Sequence, residues 1–309
     1  MKPSSKQTFH ASALGEPTMS FADTQTDNQR SIGEIISQAN NLSPEQIEQI
    51  LGYQREHGVR FGEAAVALGL ANNDDVMWAL AQQFHYPYSQ DNDTSKSLPS
   101  EVVVATQPFS ARAEAFRSMR SHLIMRMFNS EAAGSKHAIA VVSPNTGDGK
   151  SYFAANLAAA FSQLSGRTLL IDADMRTPRQ HELFDLAESS SGLSTILSGR
   201  AASNVIKPVK QLHSLFVLPV GTTPPNPQEL VERPAFGLLI RELSLKFDHI
   251  IVDTPAASLG ADGAVIAAKC GAAILIARQN HSRMDDVQHL VNIARIGSTK
   301  IVGTVINEF

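Results

Sequence analysis

The sequence has very little cysteine and no long apolar run, and both shortages limit the kind of protein that it encodes. Its one cysteine, Cys270, excludes a disulfide within the chain and is predicted to be a buried residue of a protein in a reducing compartment. No apolar stretch approaches the ~20 residues that span a bilayer, and the first residues lack the charged-then-apolar layout of a signal peptide. We therefore expect a cytoplasmic protein that reaches the inner face of a membrane through a partner.

An excess of positive charge is also missing. The 26 Lys and Arg residues are outnumbered by 30 Asp and Glu residues, which gives a formal net charge of −4. Such a chain has no general basic field, so nucleic acid is not an expected partner. The hydrophobic share of 43% over 309 residues supports a core large enough for two domains, or for one domain with an appendage.

Four regions differ in composition along the chain. Residues 1–29 are rich in Ser, Thr, Gln and Asp without hydrophobic periodicity, which predicts a disordered tail. Residues 30–90 are predicted to form a small helical domain. Residues 91–108 are polar and contain two prolines, which predicts a linker, although the three valines at 102–104 could pack on another element. Residues 109–309 are predicted to form the second and larger domain.

The small domain contains an internal repeat. Residues 31–54 align with residues 60–83, and each copy opens on an apolar residue, a glycine and a glutamate, so that Gly33 corresponds to Gly62. Ser43, directly before a proline, is a typical helix start. Apolar residues recur in both copies at helical spacing. The pattern predicts a duplicated helical hairpin.

This repeat resembles the N-terminal domain of type II secretion and pilus ATPases, including its cyclic di-GMP-binding variety. The second copy has the Arg60, Gly62 and Gly69 of that motif, whereas the first has Ser31 and Asn40 where Arg and Gly are expected. The resemblance implies either a cyclic di-GMP site or a protein-docking module. We favour protein docking, because fold analogy alone does not establish a ligand site.

A glycine-rich loop follows the apolar run at residues 138–142 and precedes a predicted helix. Residues 143–151 read S-P-N-T-G-D-G-K-S, with Pro144 where the general pattern has its first glycine. Because glycine has no Cβ, Gly147 and Gly149 allow backbone N–H groups to wrap closely around phosphate oxygens at a helix N-terminus. The residues predicted to bind a nucleoside triphosphate are Thr146, Gly147, Asp148, Gly149, Lys150, Ser151 and Tyr152.

Three acidic residues follow two other apolar runs. Asp172 and Asp174 come at the end of one predicted strand, and Asp253 ends another. Because the carboxyl ends of parallel strands meet at one edge of a sheet, these side chains are expected beside the glycine-rich loop. Carboxylates at that edge hold a metal ion and orient a nucleophile. A merely structural role is credible for one such acid but poor for all three.

From residue 109 onward, predicted strands and helices alternate. Continuous apolar runs, typical of parallel strands covered on both faces, predict strands at 138–143, 168–172, 215–220, 249–253, 272–277 and 301–306. The predicted helices are 110–128, 150–165, 178–186, 227–246, 260–269 and 284–296. The alternation predicts an α/β fold, a doubly wound and mostly parallel sheet of the P-loop NTPase kind with its ligand at the carboxyl ends of the strands.

Residues 143–151, 172–176 and 250–255 together resemble the Walker A, A′ and B motifs of bacterial tyrosine kinases of the exopolysaccharide chain-length-determinant (EpsG) type. This family is related to the MinD/ParA ATPases. Thr146 stands where MinD/ParA proteins have a signature lysine, which favours the kinase branch. The resemblance implies ATP and Mg²⁺ as cofactors and a membrane polysaccharide chain-length determinant as a partner.

The resemblance and the chemistry of phosphoryl transfer imply roles for five of these residues. Lys150 stabilises the β- and γ-phosphates, and Asp172 accepts the proton of an incoming hydroxyl group. Ser151 ligates Mg²⁺ directly, and Asp174 and Asp253 hold the metal shell. The division of roles among the three acids stays open.

Family analogy implies roles for further residues outside the phosphate loop. Arg176 is either a catalytic charge or a surface partner, and Asn307 contacts the adenine. Glu114, Arg117 and Arg120 match the E-x-x-R-x-x-R helix of the family. Those three residues form either a homo-oligomer contact in a ring or a salt bridge on a solvated helix face.

The chain has four tyrosines, Tyr53, Tyr86, Tyr88 and Tyr152, and none after position 152. Within this sequence we therefore expect no counterpart of the C-terminal tyrosine cluster that kinases of this family phosphorylate. Two functions stay open. One is a protein-tyrosine kinase that regulates exopolysaccharide polymerisation, chain length and export. The other is a MinD-like ATPase switch that controls oligomerisation and binding to a membrane chain-length regulator without tyrosine transfer.

Overall fold

The computed structural model describes residues 31–83, 98–128, 138–187, 190–200 and 204–308. The predicted tail at residues 1–29, together with Tyr86 and Tyr88, lies outside the described residues. None of the described helices is long and apolar enough to cross a membrane.

Residues 31–83 form four helices that repeat a pair of short helices. The helices are α1 (Ile32–Ala39), α2 (Pro44–His57), α3 (Phe61–Ala67) and α4 (Asn73–Gln83). Ser31 and Ser43 cap the first two helices. Each serine hydroxyl accepts a hydrogen bond from the backbone N–H of the third helical residue, and the side chain of that residue accepts one from the backbone N–H of the serine. Gly62 is required by packing, because a Cβ there would lie 2.7 Å from Val76 Cγ1. The core is small and mostly aliphatic, with Ile36 and Ile50 fully buried.

The larger unit is an α/β fold whose sheet has seven strands among the described residues. The strands are β1 (Ala138–Val142), β2 (Thr168–Asp172), β3 (Lys207–Pro208), β4 (Leu215–Leu218), β5 (His249–Asp253), β6 (Gly271–Arg278) and β7 (Lys300–Asn307). They are ordered β3-β4-β2-β5-β1-β6-β7, and all neighbouring pairs are parallel except β3 with β4. The predicted mostly parallel, doubly wound sheet is confirmed.

Helices cover both faces of this sheet. They are α5 (Val103–Thr106), α6 (Ala111–Leu123), α7 (Lys150–Ser162), α8 (Gln180–Leu183), α9 (Leu193–Leu197), α10 (Pro227–Glu232), α11 (Pro234–Ser244), α12 (Asp262–Cys270) and α13 (Met284–Ile296). Alternate residues of β1 point to opposite cores. Ile139 belongs to the core that contains Phe161 of α7, and Ala140 belongs to the core that contains Phe236 of α11. Burial on both faces explains why the strands read as continuous apolar runs.

The six predicted strands are present, and several predicted helices are shorter or divided. The helix expected at 227–246 is two helices, because Pro234 forces Arg233 into an extended conformation. The helix expected at 110–128 becomes a π-helical turn from Ile124 to Phe128. Only residues 180–183 of the helix expected at 178–186 are helical. The two-residue β3 was not predicted.

The segment expected to be a linker belongs to the larger unit from Leu98 onward. Leu98, Val102 and Val104 are buried in the core beneath α7. The Asn156 side chain of α7 accepts from the Val104 N–H at 3.1 Å and donates to the Glu101 carbonyl at 2.8 Å. The 91–108 boundary is therefore corrected: residues 98–106, called the strap below, are a packed element, because three valines require burial.

Candidate nucleotide site

The site lies at the carboxyl ends of β1, β2 and β5, where the 143–149 loop leads into α7. Gly147 and Gly149 have φ values of 84° and 97°, a left-handed conformation that glycine adopts without strain. α7 begins at Lys150, so the positive end of its dipole faces the loop. This geometry forms a cradle of backbone N–H groups for phosphate oxygens.

Lys150 lies inside this cradle. Its side chain is only 6% exposed, and its Nζ donates to Ser143 Oγ at 3.1 Å. Lys150 is also close enough to Asp253 to stabilise the charge of that carboxylate. A buried ammonium group beside a hydroxyl is well placed to bind an anionic ligand that enters the loop.

Two of the predicted acids face each other in the sheet. Asp172 of β2 is in register with Asp253 of β5, and both are fully buried. Burial, reinforced by repulsion from Asp253, raises the pKa of Asp172 well above its usual value. Burial raises the pKa of Asp253 to about 6, although hydrogen bonds from Gln180 and Ser151 and the charge of Lys150 oppose that rise. The pair therefore holds protons more tightly than ordinary aspartates do.

The donors around these acids fix their orientation. Asp172 Oδ2 accepts from the backbone N–H groups of Arg179 and Gln180 at 3.2 and 3.0 Å. Its Oδ1 accepts from the Asp174 N–H at 3.2 Å. Asp253 Oδ2 accepts from the Gln180 side chain at 2.8 Å. No sequence motif indicated Gln180, whose role depends on a strand end 73 residues away.

The donor set at this edge fits Mg²⁺ bound together with a triphosphate. Asp253 Oδ1 is buried without a hydrogen-bond partner among the described residues, and the Ser151 hydroxyl lies against the same carboxylate. Across those residues, no group of three or more His, Cys, Asp and Glu side chains could hold a metal ion. Mg²⁺ in nucleotide sites is bound by one or two carboxylates and completes its shell with substrate phosphate and water. Ser151, Asp253 and Asp174 suit that arrangement.

Asp174 and Arg176 occupy a tight turn after β2. Asp174 Oδ1 accepts from the N–H groups of Arg176 and Thr177, and its Oδ2 accepts from the Thr177 hydroxyl at 2.9 Å. The Arg176 guanidinium pairs with the buried Asp262 of α12, at 3.0 Å from Nε and 2.9 Å from Nη2 to Oδ2. This geometry favours the second of the two roles expected for Arg176, that of a charge partner.

Asp148 and Asn307, both predicted to contact the nucleotide, make hydrogen bonds that hold the loop. The Asp148 carboxylate is fully buried and accepts from the Asn145 N–H at 2.8 Å and the Ser282 hydroxyl at 2.8 Å. His281 Nδ1 lies 2.9 Å from Asp148 Oδ1. Asn307 Nδ2 donates to the Asp148 carbonyl at 3.0 Å. Both side chains are engaged by protein groups behind the phosphate loop, and their contact with the nucleotide stays a prediction.

A cleft of about 630 Å³ opens in front of the loop. Its lining combines the phosphate loop, the turn after β2 and the strap: Ser100, Glu101, Val103, Gln107, Arg112, Thr146, Gly147, Gly149, Lys150, Ser151, Tyr152, Asp174, Thr177 and Arg179. Arg179 Nη2 contacts both carboxylate oxygens of Glu101, at 2.7 and 2.9 Å. The predicted Thr146, Gly147, Gly149, Lys150, Ser151, Tyr152 and Asp174 are brought together here. Glu101, Arg112 and Arg179 were missed, because no phosphate-site motif contains them.

The charged residues of α6 contact their own chain. Arg117 donates to Glu114 Oε2 at 2.7 Å and to the Pro108 carbonyl. Arg120 Nη1 donates to the Ala160 carbonyl of α7 at 2.6 Å. The salt bridge expected on this helix joins Glu114 and Arg117, whereas Arg120 joins α6 to α7. The exposed member is Glu114, whose side chain is 72% exposed.

The helical unit has its own open groove of about 710 Å³. Its lining residues are Ser31, Gly33, Glu34, Ser37, Gln38, Leu42, Ile47, Leu51 and Phe61. This set contains no basic side chain and one acidic one. An anionic dinucleotide gains no charge pairing in such a groove.

Comparisons with known proteins agree with this geometry. The ParA family, described as "NUBPL iron-transfer P-loop NTPase", matches residues 134–308. The putative tyrosine-protein kinase CapB of Staphylococcus aureus is 32% identical over 213 residues, which cover 69% of this chain and 91% of CapB. The tyrosine-protein kinase wzc of Salmonella typhimurium is 32% identical over 209 residues, covering 67% of this chain and 28% of wzc. The chain thus spans little more than a quarter of that second relative.

A solved structure gives the same result. The kinase domain of Escherichia coli tyrosine kinase ETK is 27% identical, with a TM-score of 0.64, and the match covers 71% of this chain and 84% of that one. In this chain, the phosphate loop and the facing aspartates Asp172 and Asp253 lie at the carboxyl edge of one mostly parallel sheet. The chain belongs to the bacterial tyrosine-protein kinases, a branch of the ParA-type P-loop NTPases.

Proposed function

We propose that this chain is an ATP-dependent protein-tyrosine kinase that regulates bacterial exopolysaccharide polymerisation, chain length and export. The observation that carries the proposal is the meeting of two features at one edge of the sheet. The 143–151 loop presents backbone N–H groups and Lys150, and Asp172 and Asp253 face it from adjacent strands. Family membership supports tyrosine as the acceptor.

Phosphoryl transfer at this site requires positioning and charge neutralisation more than covalent chemistry. The loop N–H groups and Lys150 would bind the β- and γ-phosphates of ATP. Ser151 would ligate Mg²⁺, with Asp174 and Asp253 holding its shell, and the ion would neutralise phosphate charge. Asp172, whose pKa is raised by burial, is the residue that we assign to accept the proton of the attacking hydroxyl group.

The acceptor tyrosine is proposed to lie on another protein. Among the described tyrosines, Tyr152 lines the cleft, but its ring packs on Phe116 at 5.9 Å between centroids, and burial raises the pKa of its phenol. A membrane chain-length determinant is the partner that fits the proposed process, and it would recruit the chain to the inner face of the membrane. Homo-oligomerisation is part of the same proposal.

The second candidate is a MinD-like ATPase switch that changes oligomeric state without tyrosine transfer. It is favoured by the position of Tyr152, whose packed ring is poorly placed to act as an acceptor. It uses the same loop and acids, with water in place of the tyrosine hydroxyl.

Purified chain mixed with γ-labelled ATP, Mg²⁺ and a tyrosine peptide separates the two functions. A kinase transfers label to the peptide, and phosphosite mapping finds phosphotyrosine. An ATPase switch releases labelled phosphate and leaves the peptide unlabelled. The control is Lys150→Met, which should lose both reactions. Label transfer or phosphate release at the wild-type rate in that variant would exclude this site.

A further inference from the structure

Gln180 touches three functional groups of the site, although it lies outside every recognised motif. It is fully buried at the start of α8. Its Nε2 donates to Asp253 Oδ2 at 2.8 Å and to the Ser151 carbonyl at 3.1 Å. Its backbone N–H donates to Asp172 Oδ2 at 3.0 Å. One residue therefore joins the ends of β2 and β5 to the first turn of α7.

The contact with Asp253 decides which carboxylate oxygen remains available. Oδ2 is occupied by the Gln180 amide, and Oδ1 has no hydrogen-bond partner among the described residues. A carboxylate held at one oxygen cannot rotate freely about its last bond. The amide thus holds Oδ1 in one orientation. Ser151, whose hydroxyl contacts the Asp253 carboxylate, is itself held by Gln180 through its carbonyl.

Packing alone does not account for a glutamine at this position. Gln180 Oε1 is buried and has no hydrogen-bond partner within the described part of the chain. An unsatisfied buried amide oxygen costs stability, whereas the Nε2 group of the same amide pairs with Asp253 and with the Ser151 carbonyl. The polar contacts of Gln180 are therefore made to site residues, which indicates a role in the site.

We propose that Gln180 is a positioning residue for phosphoryl transfer, which fixes Asp253 Oδ1 and the Ser151 peptide in the arrangement that binds Mg²⁺ with the nucleotide. This inference rests on the proposed function. Groups that orient metal-binding residues typically change metal affinity about 10- to 100-fold when they are removed.

The test uses the full chain with Gln180→Leu, Asp253→Asn and the double variant. Binding of a fluorescent ADP is measured in EDTA and across a Mg²⁺ titration, beside kcat and KM for ATP. We expect Gln180→Leu to raise the Mg²⁺ concentration for half-maximal binding about 10-fold and to lower kcat about 10-fold or more. Nucleotide binding in EDTA should stay unchanged, and KM for ATP at saturating Mg²⁺ should change little.

The double variant distinguishes positioning from a general loss of packing. If Gln180 acts chiefly through Asp253, then the loss caused by Gln180→Leu is much smaller once Asp253 is asparagine, because only the contact with Ser151 is left to lose. Gln163→Leu is the control, because Gln163 is a partly buried residue whose amide also donates to a backbone carbonyl, that of Val104, but lies outside the cleft lining. It should keep the Mg²⁺ dependence of the wild type.

Two results would overturn the inference: an unchanged Mg²⁺ dependence in Gln180→Leu, or effects that add fully to those of Asp253→Asn. Gln180→Met, unbranched and similar in volume, makes the same test if Gln180→Leu unfolds. Failure of the proposed function has a different signature, namely undiminished ATP turnover in Lys150→Met. The two failures are therefore distinguishable.

Discussion

At the scale of single residues, Lys150 carries the clearest consequence. Its Nζ bonds to the Ser143 hydroxyl, so removal of the ammonium group breaks one polar contact in the unliganded fold. We expect Lys150→Met to lower ATP turnover at least 100-fold, because charge stabilisation in the transition state is lost. Circular dichroism and the melting temperature should match the wild type. Turnover within threefold of wild type at matched folding would refute the assignment.

Asp253 should make stability depend on pH in an unusual direction. Burial raises the pKa of Asp253 to about 6, whereas an aspartate in an unfolded chain titrates near ~3.9. The native state therefore keeps a proton that the unfolded state has lost. The stabilising contribution is fully present below about pH 4 and is lost as pH rises to about 6, by about 3 kcal/mol.

Asp253→Asn removes this titration and also the repulsion that helps to raise the pKa of Asp172, so the comparison of variant and wild type reports on the pair. Without nucleotide or Mg²⁺, the variant should gain stability relative to wild type between pH 4.5 and pH 8, while its ATP turnover is lost. Urea unfolding at several pH values measures the difference. A constant difference in unfolding free energy across that range would contradict the pKa shift.

Asp148 should act on the nucleotide through the shape of the loop. Its carboxylate accepts from Asn145 and Ser282 and contacts His281, and alanine would leave these groups unpaired. We expect Asp148→Ala to weaken ADP binding about 10-fold or more and to lower the melting temperature. Ser282→Ala removes one of these bonds and should have a smaller effect in both measurements. Full ADP affinity in Asp148→Ala would show that the loop holds its shape without this carboxylate.

The motif predicted which residues form the phosphate loop but not where each side chain points. Lys150 and Ser151 were placed correctly in the cleft, because their positions follow from the loop and the start of α7. The direction of Asp148 depends on His281 and Ser282, which lie 133 and 134 residues away in sequence. No local sequence pattern predicts a contact between residues so far apart in the chain.

At the scale of elements, the strap is the feature that sequence patterning described least well. Its polar flanks and prolines predict a linker, yet its three valines pack beneath α7. Asn156 accepts from Val104 and donates to the Glu101 carbonyl, and Glu101 then reaches Arg179 across the cleft. The sequence alone does not establish that these three valines are buried, because the surface that buries them is formed by a separate part of the chain, which includes α7.

This arrangement predicts that Asn156 keeps the strap in place. Asn156→Leu would leave the Val104 N–H and the Glu101 carbonyl without their partner, so we expect a loss of about 2–4 kcal/mol in unfolding free energy. Hydrogen exchange at Val104 should accelerate. Gln163→Leu, which loses one longer bond to the strap at 3.3 Å, should show a milder effect of the same kind. Equal effects of the two variants would argue against the leading role of Asn156.

The helices illustrate where periodicity succeeds and where it fails. α13 was predicted with its observed bounds, because its apolar residues recur at helical spacing and no proline interrupts them. The 227–246 segment shows equally strong apolar content, but Pro234 divides it. Steric exclusion before proline outweighed the hydrophobic pattern at that point.

At the scale of the whole molecule, the order of the strands explains the site. β1 lies between β5 and β6, so the loop after β1 is adjacent to the end of β5, and β2 brings its acid to the other side of β5. The apolar runs predict six of the strands but not this order. The order follows from crossover connections that pack helices on both faces of the sheet.

Assembly is the property of the whole molecule that the α6 contacts most directly affect. Arg117 and Arg120 bond to carbonyl groups of Pro108 and Ala160 in their own chain. We therefore expect the double change Arg117→Ala and Arg120→Ala to lower the unfolding free energy by about 2–4 kcal/mol, apart from any effect on oligomers. A loss of assembly in that variant would therefore also reflect the lower stability of the single chain.

Glu114 offers the cleaner test, because its side chain is 72% exposed and Arg117 keeps the Pro108 carbonyl when Glu114 is replaced. If the exposed carboxylate contacts a neighbouring copy, Glu114→Gln should shift sedimentation toward smaller species, with melting temperature unchanged. Rising salt should have the same effect on the wild type, because exposed charge contacts are screened. Sedimentation velocity with and without Mg²⁺ and ATP measures both. An oligomer distribution identical in wild type and Glu114→Gln at every salt concentration would place the contact elsewhere on the surface.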